Sequence, residues 1–258
     1  MLVGLYLAYQ ILIAFIKPST SPALVGVNKT DEAVGDIGVG ETLRVIAAPL
    51  SLIVVVLGSI LTGIATPTES AAVGAVGATV LAIMGRKFNL DVVKAVSRET
   101  TKISSMVFII LLGASMFSLV FRGFGGDVVV EEFLHELPGG PAAAMLLVMA
   151  VMFFLGFFLD FIEIIFVIVP IVAPILIAVG FDPLWLGVMI GINLQTSFLT
   201  PPFGFALFYL RGVAPDAVKT ADIYRGVFPF IGIQVLGLAL IWIFPDIVLW
   251  LPGLIFGG

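Results

Sequence analysis

Residues 193–204, NLQTSFLTPPFG, interrupt an otherwise apolar segment with amide and hydroxyl side chains and then with two consecutive prolines. Proline lacks an N–H group and clashes with the preceding helical turn, so Pro201 and Pro202 predict the end of a helix. Gly204 has no Cβ and permits a close approach of the backbone. The alternative is a proline-kinked helix whose hydroxyl groups bond to its own carbonyl groups.

A helix broken in this way exposes carbonyl groups at one end, which suit a small cation, and amide groups at the other, which suit a carboxylate. At membrane depth, unwound backbone persists only where protein encloses it or water reaches it. The stretch therefore predicts a buried binding site. Its candidate ion- and solute-binding residues are Asn193, Gln195, Thr196, Thr200, Pro201, Pro202 and Gly204.

The composition indicates that this segment belongs to a membrane protein. Of 258 residues, 60% are apolar and 11% are charged, whereas about 25% are charged in a soluble domain. The net charge of −5 and the lack of a basic block argue against nucleic-acid binding. With no cysteine and one histidine, thiolate and histidine-rich metal sites are excluded.

The apolar segments predict an all-α, polytopic transmembrane fold in a single transmembrane domain, 1–258. A helix needs roughly 20 apolar residues to cross the hydrocarbon. About eight segments qualify, and the polar stretch 18–43 between the first two predicts a surface connector. The segments are 1–17, 44–64, 69–85, 102–122, 141–159, 160–180, 184–211 and 227–251.

The loops predict the orientation around the span 102–122. Segment 86–102 has five basic and two acidic residues, which places it in the cytoplasm. Segment 123–140 has no lysine or arginine and is predicted to lie outside. Counting 184–211 as one broken crossing leaves the C-terminus outside, whereas a re-entrant hairpin would change the parity.

Several polar or aromatic side chains near segment ends are expected at the membrane boundary. Arg211 is predicted to extend its charge to the interface, although a contact with a carboxylate is the alternative. Trp185 and Trp242 fit an aromatic belt. His135 is expected in water.

A second polar break, GIATPTE at 63–69, supplies the secondary candidates Thr66, Pro67, Thr68 and Glu69. Pro67 removes a helix donor and disfavours a helical Thr66. We expect Thr68 to cap the helix that starts at Glu69. A simple capped turn at the membrane surface is an equal alternative.

A third break, GFFLDFIE at 156–163, brings carboxylates into apolar sequence. Asp160 and Glu163 are three residues apart, so on a helix they would share a face. Each ionised carboxylate in lipid costs on the order of 3 kcal/mol, which favours a helix start that lines a polar cavity or cation route. The alternative is a junction at the interface. An intramembrane enzyme using this acid pair is disfavoured, because no nucleophile or metal motif accompanies it.

These motifs together resemble the large permease subunit of TRAP transporters (DctM-like), and within it the mannitol/chloroaromatic branch. The resemblance rests on GIATPTE, on GFFLD followed by Pro170 and Pro174, and on NLQTSFLTPPFG followed by LFYLRGVAP. Their order and spacing agree, and the likeness covers essentially the whole chain. Carried over by motif, the resemblance implies ion- and solute-binding residues at Gly156 and Asp160, beside those named in 193–204, with Glu163 as a secondary candidate.

The resemblance implies a sodium-coupled secondary transporter, not an enzyme, that imports organic acids or related solutes. It implies a multi-pass protein of a bacterial or archaeal inner membrane, with sodium as the coupling ion and no other cofactor or metal. The implied partners are a small four-helix membrane subunit and a periplasmic solute-binding protein. The family is built from two inverted repeats and is expected to move as an elevator.

One departure from the family concerns length. This chain corresponds to the C-terminal half, and the N-terminal repeat with its serine- and glycine-rich hairpin has no counterpart here. Because an inverted-repeat site needs both halves, we expect no transport by this chain alone. A scaffold or assembly subunit of another membrane complex is the alternative function, but it would not need the Thr-Pro-Pro break.

Overall fold

The computed structural model describes residues 1–17, 39–201, 204–214 and 218–256. Within these ranges the chain is all-α, which confirms the predicted fold class. Its helices are α1 (Leu2–Ile16), α2 (Val39–Leu61), α3 (Pro67–Met84), α4 (Leu90–Gly123), α5 (Gly126–His135), α6 (Gly140–Leu155), α7 (Phe161–Val167), α8 (Val169–Ala178), α9 (Pro183–Leu199), α10 (Phe205–Val213), α11 (Thr220–Ile243) and α12 (Asp246–Phe256).

Three helices in the described ranges, α3, α4 and α11, are long and apolar enough to cross a membrane, and the pair α7–α8 gives a fourth if it counts as one bent span. Shorter apolar helices accompany them, among them α1, α6 and α9. At 34 residues, α4 is about 50 Å long, more than the roughly 30 Å of hydrocarbon. Its basic N-terminal part therefore extends beyond the apolar layer.

The chain divides into two compact units, and residues 17–104 form the smaller one. There α2 and α3 form a hairpin. Ser70 is fully buried, and its hydroxyl lies 2.8 Å from that of Ser59. Because Ser59 donates its own proton to the Val56 carbonyl, Ser70 is the donor in this contact. A Cβ on Gly77 would overlap the side chain of Leu52, so this glycine allows the helices to pack closely.

The larger unit comprises residues 1–16 and 105–258. Its central element is α9, which packs against α6 on one side and α11 on another. The buried apolar core gathers side chains of α6, α8 and α9. Fully enclosed members include Met145, Met152, Ile164 and Leu176. This core encloses three polar side chains of α9, Asn193, Thr196 and Ser197.

Prolines set the bends of the larger unit. The helices α7 and α8 meet at an angle of 56°, because Pro170 has no N–H to continue the ladder across Ile168. Pro174 likewise removes the donor for the Pro170 carbonyl, and the guanidinium of Arg122 donates to that carbonyl at 3.4 Å. A neighbouring helix thus supplies a donor for the carbonyl that the proline left unpaired, which is favourable where water is absent.

The structure corrects several predicted boundaries. Segment 160–180 is two helices rather than one, and segment 227–251 is broken before Pro245 into α11 and α12. The predicted loops 86–102 and 123–140 are largely helical, as the start of α4 and as α5. Within the predicted connector 18–43, residues 39–43 belong to α2, and 18–38 lie outside the described residues.

Candidate functional site

Local sequence fixes both ends of α9. The Asp182 carboxylate caps its N-terminus by accepting from the backbone N–H groups of Leu184 and Trp185, each at 2.9 Å. Pro183 occupies the first helical position, where no N–H is needed. At the other end Thr200 is extended, with φ −88° and ψ 126°, as expected for a residue before Pro201. The helix is therefore broken where the sequence predicted.

One face of the C-terminal half of α9 carries Asn193, Thr196 and Thr200, spaced by three and four residues. Asn193 and Thr196 are buried. The Asn193 side-chain amide donates to the Met149 carbonyl of α6 at 2.9 Å. The two threonine hydroxyls donate back within α9, Thr196 to the Ile192 carbonyl and Thr200 to the Thr196 carbonyl, each at 2.7 Å.

These hydrogen bonds decide which ligand the face suits. Asn193, Thr196 and Thr200 each direct a donor to a backbone carbonyl, so their oxygen lone pairs remain to accept. The C-terminal end of a helix also carries partial negative charge. Oxygen acceptors at a negative helix end suit a cation. The hydroxyl back-bonding expected of a kinked helix is therefore present, but in a helix that ends at Leu199.

Gly156 brings the end of α6 directly against this part of α9. Gly156 is buried, and a Cβ built on it would overlap the hydroxyl of Ser197 and lie 2.9 Å from its Cβ. Ser197 is also buried and donates to the Leu194 carbonyl at 2.9 Å. Two predicted candidates, Gly156 and Asn193, therefore both take part in the α6–α9 contact, at different positions along it.

The break after α9 is compact. The Thr200 N–H donates to the Ser197 carbonyl at 3.0 Å, and the Gly204 N–H donates to the Thr200 carbonyl at 3.2 Å. A Cβ on Gly204 would lie 3.0 Å from the Phe198 carbonyl oxygen, so glycine is needed for this approach. Pro201 is half-buried, and the candidate Pro202 lies outside the described residues.

Gln195 points away from this face. It is exposed and lines a groove of about 270 Å³ between α7 and α9, together with Phe161 and Phe198. Asn193 instead borders an apolar groove of about 470 Å³ between α6, α9 and α11. The two predicted amide candidates of α9 thus serve different surfaces.

The acid pair lies at the start of α7. The Asp160 carboxylate caps this helix by accepting from the Phe161 N–H at 2.8 Å, and Glu163 follows in the first turn. Both are half-buried. No ion pair to either carboxylate occurs in the described part of the chain. Both charges thus lie at the positive end of a helix, which is favourable.

The secondary candidates belong to the smaller unit. Thr66, not Thr68, caps α3: its backbone N–H donates to the Glu69 carboxylate at 2.8 Å, and its hydroxyl accepts from the Glu69 N–H at 3.3 Å. The Thr68 prediction was wrong because α3 begins at Pro67, where proline is favoured. Thr66, Pro67, Thr68 and Glu69 are all exposed, which fits the capped-turn alternative.

Sequence reasoning missed the role of Trp185. Trp185 is buried, and its ring stacks on Phe181 and meets Trp242 edge-on. Its indole N–H donates to the Ile241 carbonyl at 3.0 Å. Pro245 has no N–H for that carbonyl, so Trp185 supplies the donor. A proline four residues after a buried carbonyl was the available signal.

The two remaining side chains predicted near segment ends are exposed. Arg211 donates to the Val218 carbonyl, which fits a charge held at the surface. His135 ends α5, about half of its side chain is exposed, and it lies 4.0 Å from the Glu131 carboxylate.

Comparison with known proteins identifies the family. The model of the DctM component of tripartite ATP-independent periplasmic transporters matches residues 1–247. The chain belongs to the DctM family. This confirms the resemblance to a TRAP transporter large permease, while the assignment to the mannitol/chloroaromatic branch stays a prediction.

Curated DctM relatives are permeases of several transporters. The chain is 31% identical to the sialic acid TRAP transporter large permease of Vibrio cholerae, over 79% of this chain and 48% of the relative. It is 28% identical to a C4-dicarboxylate permease of the same species (81% and 50%) and 30% identical to the ectoine permease of Halomonas elongata (84% and 50%). The chain spans about half the length of these relatives.

Proposed function

We propose that this chain forms half of the membrane permease of a sodium-coupled, binding-protein-dependent transporter. The observation that carries the proposal is the face of α9 with Asn193, Thr196 and Thr200, which we call the acceptor face. Asn193, Thr196 and Thr200 each direct one donor to a backbone carbonyl, which leaves their side-chain oxygens as acceptors near the end of a broken helix. Such neutral oxygens suit a monovalent cation, and half-helix C-termini are common cation sites in secondary transporters.

The solute is proposed to be an organic acid or a related small molecule. The Vibrio cholerae relatives are named for sialic acid and C4-dicarboxylates, which supports this class. The groove between α7 and α9, with its Phe161 and Phe198 rings and the exposed Gln195 amide, offers an apolar wall with one hydrogen-bonding group. Such a lining suits a small organic solute.

The remaining parts of the proposal concern assembly and location. We place the chain in the inner membrane of a bacterium or archaeon, with a small four-helix membrane subunit and a periplasmic solute-binding protein as partners. A second half, corresponding to the rest of the relatives' length, completes the inverted repeat. In an elevator movement, α6 and α9 would shift together across the membrane and carry the cation with the solute.

Cation binding to the purified chain tests the central claim. Thermal unfolding in detergent is compared in NaCl and in choline chloride at equal ionic strength. Because a ligand stabilises the state that binds it, sodium should raise the Tm of the wild-type chain. Asn193→Ala and Thr200→Val should reduce this rise by more than half, since each removes an acceptor oxygen.

Thr79→Val provides the matched control. The Thr79 hydroxyl donates back to the Ala75 carbonyl at 2.8 Å, as the hydroxyls of α9 do, but on an exposed part of α3. The control should keep the full sodium effect. An undiminished sodium effect in both Asn193→Ala and Thr200→Val would disprove the α9 site.

A further inference from the structure

The helix α11 carries a glutamine that is fully enclosed and lacks hydrogen-bond partners. Gln234 has 0% exposure, and neither its Nε2 nor its Oε1 bonds to any described residue. An unpaired buried polar group costs roughly 1–3 kcal/mol, and nearly all such groups in folded proteins have a partner. The position therefore calls for a polar partner beyond the described residues.

A second unpaired group lies in the same interface. The hydroxyl of Tyr6 on α1 is buried and has no partner among the described residues. The Tyr6 ring packs against Phe230 at a centroid distance of 5.4 Å, and Gly237 lies against Leu2. One face of α11 carries Phe230, Gln234 and Gly237 in succession. Contacts with α1 therefore lie on both sides of Gln234 along α11.

The helix α11 also packs against α9. Gln234 lies seven residues, close to two turns, before Ile241, whose carbonyl accepts from Trp185 of α9. Starting from that bond, Asn193 lies about 12 Å along α9 and Gln234 about 10.5 Å along the antiparallel α11, at 1.5 Å per residue. Gln234 is therefore level with Asn193.

We infer that Gln234 and Tyr6 are further contacts for a monovalent cation, beside α11 where this helix packs against α1 and α9. Enclosure excludes an organic solute, because the amide has no accessible surface. No cluster of three or more acidic, histidine or cysteine side chains occurs in the described ranges, so a divalent ion lacks the charged ligands that it prefers. Neutral side-chain oxygens remain, and they suit a monovalent ion.

This inference rests on the proposed function for the presence of a cation, and it adds residues outside the three motifs. Gln234 and Tyr6 belong to none of the stretches that carried the family resemblance. They would extend the cation site from the broken helix α9 to the continuous helices α1 and α11. The cation would then link α9 to α1 and α11, so that its binding tightens the helix packing.

The test is thermal unfolding of the whole purified chain in NaCl, KCl and choline chloride at matched ionic strength. Gln234→Leu should unfold in choline at the wild-type Tm or above, because an apolar side chain of similar size removes an unpaired amide. It should also raise the NaCl concentration for half-maximal stabilisation at least threefold. Tyr6→Phe should shift the same concentration in the same direction.

Two matched controls separate ligand contacts from packing. Gln10→Leu makes the same change at an exposed position of α1. Tyr9→Phe removes a hydroxyl from the other tyrosine that packs on Phe230, at 5.5 Å. Both should keep the wild-type sodium dependence. Gln234→Asn, which keeps an amide but shortens it, should fall between wild type and Gln234→Leu.

Three results would overturn the inference: no alkali-cation effect in the wild type, an unchanged sodium dependence in both Gln234→Leu and Tyr6→Phe, or equal losses in the controls. Failure of the proposed α9 site gives a different pattern. In that case Asn193→Ala and Thr200→Val keep the sodium effect while Gln234→Leu loses it. The reverse pattern would leave α9 as the site and remove Gln234 from it.

Discussion

Gly156 at the end of α6 lies so close to Ser197 of α9 that a Cβ on the glycine would overlap the serine hydroxyl. This backbone approach allows the Asn193 side chain to reach the Met149 carbonyl at 2.9 Å. The two contacts lie one helical turn apart on α9. Together they set the position of the acceptor face of α9 relative to α6.

Gly156→Ala is therefore expected to destabilise the chain by about 1–3 kcal/mol, the usual cost of overpacking. It should also weaken the sodium effect, because the clash moves α6 away from Asn193. Thermal unfolding with and without sodium measures both. Adding Ser197→Gly, which removes both overlapping atoms, should restore most of the lost stability.

Gly187→Ala in α9 is the matched control for this change. No atom outside the local helix backbone lies within 4 Å of a Cβ built there, and alanine favours a helix over glycine by roughly 0.5–1 kcal/mol. Gly187→Ala should be neutral or stabilising. Equal losses from Gly187→Ala and Gly156→Ala would show that close packing at Gly156 is not the cause.

Trp185→Phe is expected to leave the Ile241 carbonyl without a donor. Since Pro245 offers no N–H, a buried acceptor would be unpaired, at a cost of roughly 1–3 kcal/mol. The measurement is the Tm of the purified chain. Trp250, 65% exposed, supplies the comparison: Trp250→Phe should change the Tm little, and a loss as large as that of Trp185→Phe would contradict the assignment.

The cap of α3 predicts unequal effects at two neighbouring threonines. Thr66→Ala should destabilise the α2–α3 hairpin by about 1 kcal/mol, because the hydroxyl accepts from the Glu69 N–H. Thr68→Ala should cost much less, as Thr68 is exposed inside the first turn. Hydrogen exchange of the first turn of α3 reports the difference. Faster exchange in Thr68→Ala than in Thr66→Ala would refute the observed cap.

The orientation of α4 can be tested by labelling, because the chain has no cysteine. Ser97→Cys lies on the basic N-terminal part of α4, and Val129→Cys lies on α5 and is 65% exposed in the wild type. A membrane-impermeant maleimide should label position 129 from outside and position 97 only from the cytoplasmic side. Labelling of both from one side would contradict the predicted topology.

Much of the central architecture could be predicted from sequence because prolines act locally. Pro201 ends α9 where the sequence indicated, and Gly204 allows the close approach expected of it. The bend between α7 and α8 was not predicted, although Pro170 and Pro174 were evident. A bend cannot be recognised within an apolar run of normal span length, since composition does not show which groups pair with the backbone freed at a proline.

The candidate site was only partly predictable, since side-chain direction depends on tertiary packing. The sequence grouped Asn193 with Gln195, but the packing of α6 and α11 encloses only the former. Gln234 escaped notice because one amide within an apolar span has no motif. The indole of Trp185 satisfies a carbonyl 56 residues away, a relationship that no local pattern reports.

The bend between α7 and α8 has a covalent cause. Pro170 lacks an N–H group in every surrounding, so detergent, lipid or partner subunits cannot supply the missing helical hydrogen bond. They can change the 56° angle between the two helices but cannot remove the break itself.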